Sequence, residues 1–114
     1  MYRGRMKLGI TLLILLSAAV LEAGGDALIR LGLHTATPAI RVVWFLGGAL
    51  VLLGYGLAVN APPWDFGRLL GVYVVFFFIV AQVLSYFVFG QKPVPMVLLG
   101  GAFIVIGGLI ISFA

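Results

Sequence analysis

No cysteine occurs in this sequence, which removes disulfides, thiolate metal sites and thiol catalysis and leaves the redox compartment open. The single histidine, His34, cannot assemble a metal site alone, so neither a metal nor another cofactor is expected. Charge is scarce as well. Only 9% of the 114 residues are charged, against about a quarter in soluble domains, and seven basic and three acidic side chains cannot coat a globule of this size. The phosphate-binding glycine loop before Lys-Ser or Lys-Thr, the histidine pair at metal spacing and the serine with a nearby base are all missing. Nothing suggests hydrolysis, and the protein is not expected to be an enzyme.

What is present is apolar: 64% of the residues are hydrophobic, in runs of roughly 20, the length that a hydrocarbon core about 30 Å thick demands of a helix. Lipid is therefore the expected solvent. The net charge of +4 does not indicate a nucleic-acid partner, because Arg3, Arg5, Lys7, Arg30, Arg41, Arg68 and Lys92 are scattered singly near helix ends.

Breakers divide the chain. Gly32 is a helix stop, and Thr37-Pro38 reads as an N-cap followed by proline at the first helical position. Pro62-Pro63 withdraws two backbone donors in succession, and Gly90-Gln91-Lys92-Pro93 is a third turn. The expected fold is an all-α membrane protein, a single domain over 1–114 with transmembrane helices at about 8–31, 39–60, 66–89 and 94–113. The basic start Met1–Lys7 superficially fits a signal peptide. The apolar stretch after it stays helix-compatible to Leu31 and is expected to be retained as the first span.

Turns this short make consecutive helices antiparallel, so both termini and the second loop share one side of the membrane. Arg3, Arg5, Lys7 and Arg68 then fall on that side and Arg30, Arg41 and Lys92 on the other. A near-balance of this kind is a weak topological instruction. Insertion in both orientations and cytoplasmic termini are both compatible with it.

Glu22 lies well inside the first span. An acid near a helix centre costs about 2.5 to 3.5 kcal/mol on insertion scales, so its presence points to function. It is a natural group for taking up and releasing a proton, with structural helix-to-helix bonding as the plainer alternative. Asp26 and Arg30 follow at four-residue intervals, which aligns all three on one helix face. Asp26 either pairs with Arg30 at the membrane boundary or faces the same cavity as Glu22. In the third segment Tyr73, Phe76 and Phe77 fall near one face, where an aromatic surface can hold an organic cation or a ligand's apolar body. Tyr73 is the strongest contact candidate because a buried hydroxyl needs a partner. Trp44 and Trp64 read as interfacial anchors. Gly100-Gly101 and Gly107-Gly108 recur seven residues apart on one stripe of the fourth helix, a pattern that lets helix backbones approach closely in lipid.

Together Leu21-Glu22-Ala23-Gly24-Gly25-Asp26-Ala27-Leu28-Ile29-Arg30, Phe89-Gly90-Gln91-Lys92 and the paired glycines resemble the small multidrug resistance (SMR) family of the drug/metabolite transporter superfamily, over nearly the whole chain. The resemblance implies a homodimer, usually of oppositely inserted protomers. In it Gly100, Gly101, Gly107 and Gly108 form the interface, and Glu22 is the shared site of protons and a small cationic or polar organic substrate. Asp26, Tyr73 and Phe77 are the further candidates for that site. This chain departs from the family in carrying Tyr73 for a tryptophan, Val75-Phe76-Phe77 for a glycine-containing hinge, Asp26 for a hydroxyl residue, and small residues such as Gly47 for aromatics of the second helix. Those departures argue against export of aromatic drugs. A lipid or lipid-linked sugar flippase subunit and a non-transporting membrane scaffold are the competing expectations.

Overall fold

The computed structural model describes residues 8–114. It contains four helices: α1 (Leu8–Leu33), α2 (Pro38–Val59), α3 (Phe66–Phe89) and α4 (Pro95–Ser112). Each is long and apolar enough to cross a membrane, so the chain is a four-span, multi-pass membrane protein. The basic residues at Arg3, Arg5 and Lys7 and the leader-like start lie outside the described residues.

Local chemistry explains most of the helix ends. Pro38 and Pro95 each stand in the first turn of a helix, where a missing N–H is harmless, and the residues before them, Thr37 and Val94, are extended as a following proline requires. Thr37 occupies the N-cap position, but its side chain makes no capping bond. At the end of α3, Gly90 adopts φ 65°, and the amides of Gly90 and Gln91 close onto the carbonyls of Tyr86 and Ser85. The first helix departs from expectation, since it runs through Gly32 to Leu33 instead of stopping. Thr35 Oγ1 then caps the carbonyl of Leu31 at 2.7 Å.

Gly32 is used for packing. A Cβ on it would lie 2.6 Å from Phe45 Cε1 and 3.0 Å from Trp44 Cβ, so its bareness lets α2 approach. Two turns earlier Gly25 faces Gly48 in the same way: a Cβ on Gly25 would meet Leu52 Cγ at 2.7 Å, and one on Gly48 would meet the Gly25 carbonyl at 3.0 Å. Close backbone approach through small residues is how helices associate where lipid is as apolar as leucine.

The helices are ordered in space as α2, α1, α3, α4, because α1 packs on both α2 and α3 while α4 packs mainly on α3. The result is a slab of 50 × 34 × 19 Å. Its core lies at the terminal end, where Leu15, Ala18 and Ala19 of α1 meet Val59 of α2 and Leu69, Val72 and Tyr73 of α3. At that end Arg68 ties α3 to α4, donating from Nη2 to the Ser112 carbonyl at 3.0 Å with its guanidinium 4.5 Å from the Trp64 ring. Leu50, Phe87 and Met96 are among the many large apolar side chains that face outward, as a lipid-facing surface requires.

Adjacent glycines supply the test of the α1–α2 contact. Gly25→Val should destabilise the protein by about 1–3 kcal/mol through overpacking. Gly24→Ala, where an added Cβ has nothing within 4 Å, should be neutral or mildly stabilising because alanine is the better helix former. Denaturant unfolding of the purified protein followed by circular dichroism reads both; equal effects would remove Gly25 from the packing argument.

Candidate functional site

Glu22 stands at mid-helix in α1, flanked by Ala18, Ala19 and Ala23, all of them buried. These small neighbours let the flanking helices come close enough for a side chain to reach the carboxylate. Tyr73 of α3 does so: its hydroxyl donates to Glu22 Oε1 at 2.7 Å, and the tyrosine is only 4% exposed. An O–H donor to a carboxylate is among the stronger protein hydrogen bonds. Beside an apolar cluster of Leu15, Ala18, Ala19, Val59, Leu69 and Val72, it answers much of the cost of placing an acid at this depth.

Two rings extend the site. Tyr55 of α2 has its ring centroid 5.7 Å from that of Tyr73, tilted by 33°, and Phe77 stacks one helical turn beyond Tyr73 at 6.3 Å. Three helices therefore converge on Glu22. The sequence reading missed Tyr55 and took the second helix to offer small residues such as Gly47. The available signal was a lone phenol in an otherwise apolar span, which has to find a polar neighbour.

A second feature opens beside the first. Between α1 and α3 runs an open groove of about 250 Å³, with Asp26 and Arg30 along one wall and Phe77, Ser85 and Gln91 along the other. Asp26 faces this groove. Among the described residues it forms no ion pair with Arg30, whose guanidinium lies 5.3 Å from the centroid of the Phe89 ring. Phe77 belongs to both features, stacking on Tyr73 and lining the groove.

The four glycines of α4 part company. Gly101 and Gly108 are buried against α3 of the same chain, where an added Cβ would strike Phe78 and Val75 respectively. Gly100 and Gly107 have nothing within 4 Å of an added Cβ. The expectation that all four belong to one intermolecular interface overlooked the helix of the same protomer that takes up two of them. A seven-residue repeat identifies a stripe and does not say which neighbour covers it.

The chain is 32% identical over 106 residues to the UPF0060 membrane protein YfjF of Bacillus subtilis (strain 168), an alignment covering 92% of this chain and 94% of that relative. The chain belongs to the UPF0060 family. No family model matches the sequence, and no solved structure matches it either. Membership adds to the helices the statement that a relative of nearly the same extent is itself a membrane protein.

The Glu22–Tyr73 bond has a spectroscopic signature. Tyr73→Phe should shift the infrared carboxyl band that Glu22→Gln removes, whereas Tyr86→Phe, which alters an exposed ring packed edge-on against Phe87, should leave that band in place. An unmoved band in Tyr73→Phe would mean that the bond does not form in the membrane.

Proposed function

We propose that this UPF0060 protein exchanges a small cationic or polar organic substrate for protons across the membrane by alternating access, as its resemblance to the SMR family implies. The observation that carries this reading is the Tyr73 hydroxyl donating to Glu22 Oε1 at 2.7 Å in the apolar interior. A mid-membrane carboxylate held by a single hydroxyl donor can exchange that donor for a proton or for a cationic group. Protonation and substrate binding then exclude one another at the same oxygen atoms, which is the elementary requirement of exchange. Tyr55 and Phe77 supply the aromatic surfaces that hold a substrate's apolar or cationic part.

The working unit in this reading is a homodimer, formed by protomers inserted in opposite senses. Opposed copies give the inverted repeat on which many transporters base alternating access. The outer side of α4, with Gly100 and Gly107 open, supports an interface there, and Gly101 and Gly108 stay within the protomer.

Two measurements test this. In proteoliposomes, Glu22→Gln should reduce substrate-driven proton movement to the level of empty vesicles while the variant remains folded; coupled flux equal to that of the wild type would end the mechanism. Gly107→Leu should shift the protein from dimer to monomer in detergent, read by light scattering. Helix content should be unchanged, because a Cβ added at this position has nothing within 4 Å in its own chain. A dimer that survives this change would move the interface elsewhere.

A further inference from the structure

The groove between α1 and α3 carries opposite charges that do not neutralise one another. Asp26 and Arg30 are one turn apart on the same wall, a spacing at which an acid and a base ordinarily pair on a helix surface. Here the guanidinium is drawn to the Phe89 ring at 5.3 Å, a cation–π contact that fixes its place at the mouth. The opposite wall is apolar at Phe77, Ala81 and Leu84 and polar at the rim, where Ser85 Oγ donates to Gln91 Oε1 at 3.2 Å. The volume of about 250 Å³ falls below the roughly 300–1,000 Å³ of pockets for drug-sized ligands. A small molecule or a headgroup suits it.

Charge selects the chemistry. A simple cation meets Arg30 at the mouth, and a simple anion meets Asp26 with Glu22 one turn deeper. A molecule bearing both signs satisfies the two walls at once, with its oxyanion on the planar guanidinium fork and its ammonium on the carboxylate. We propose that this groove binds a zwitterion, a primary or methylated ammonium linked through a short carbon chain to a phosphate or carboxylate, oriented with the oxyanion at Arg30 and the ammonium at Asp26. The inference deepens the transport reading by naming the substrate class, and it rests on that reading for its connection through Phe77 to Glu22. A free small zwitterion and a zwitterionic lipid headgroup share this chemistry.

The test is equilibrium binding of phosphoethanolamine, ethanolamine and glycerol phosphate to the full-length protein in phosphatidylglycerol nanodiscs. Phosphoethanolamine should bind at least about ten-fold more tightly than either single-charge probe, one charge-assisted contact being worth roughly that factor. Asp26→Asn should reduce phosphoethanolamine affinity to that of glycerol phosphate, and Arg30→Gln should reduce it to that of ethanolamine. Equal binding of the three probes by the wild-type protein overturns the proposal whether or not the variants fold. Nanodiscs of phosphatidylethanolamine separate the sources: loss of phosphoethanolamine binding there identifies the lipid headgroup as the occupant, and unchanged binding identifies a soluble zwitterion. Failure here is distinct from failure of the transport reading, since equal probe binding with Glu22-dependent proton coupling intact rejects only the zwitterion. Coupling unaffected by Glu22→Gln rejects the exchange mechanism itself.

Discussion

The hydrogen bond between Tyr73 and Glu22 depends on how closely α1 can be approached from both sides. An acid in a hydrocarbon slab needs a partner brought to within about 2.7 Å, and here the partner is on a different helix, 51 residues away in sequence. Reaching it requires Ala18, Ala19 and Ala23 around Glu22, so that α3 can bring a buried tyrosine to the carboxylate. On the other flank Gly25 and Gly32 draw in α2 and with it Tyr55. The small residues of α1 thus do two things at once: they bind the helices together in a solvent that offers no hydrophobic driving force between them, and they clear the space in which the polar site forms.

The same economy explains the order of the slab. α1 is the central helix because it is small-sided on two faces, and α4 is peripheral because Gly101 and Gly108 make only one such face for it within the chain. Apart from the Ser112 carbonyl that Arg68 holds at its end, α4 is apolar along its length. Its placement follows from where the glycines allow side chains like Phe78 and Val75 to nest.

Much of the fold was legible because lipid imposes blunt rules. Runs of about 20 apolar residues, Pro38 and Pro95 at helix starts and Gly90 at a helix end translate directly into the four helices. Glu22 was legible for the same reason, since an acid at that depth is conspicuous. What could not be read were the pairings. Gly32 resembles a helix stop locally and becomes a contact only when Phe45 is brought against it. Asp26 and Arg30 have the spacing of an ion pair, and the competing attraction of Phe89, 59 residues beyond Arg30 in the chain, is invisible until the helices are docked. Tyr55 was overlooked because one phenol leaves no periodic trace, and its meaning arises from the ring of Tyr73 beside it.

The polar groups gain precision from sharing one helix. Glu22, Asp26 and Arg30 are separated by four residues each, hence by about 6 Å along the axis, and that spacing is held by backbone hydrogen bonds that lipid cannot compete for. Their surroundings differ step by step: a tyrosine donor at Glu22, an open groove at Asp26, an aromatic face under Arg30. The helix macrodipole adds a direction at the end, since its negative C-terminus favours Arg30 in the last turn. Asp26, with the base one turn on set against Phe89, is left without the neutralising partner that a purely structural charge would have. The Tyr73 hydroxyl accounts for Glu22 and the Phe89 ring for Arg30; neither accounts for Asp26, which faces the groove.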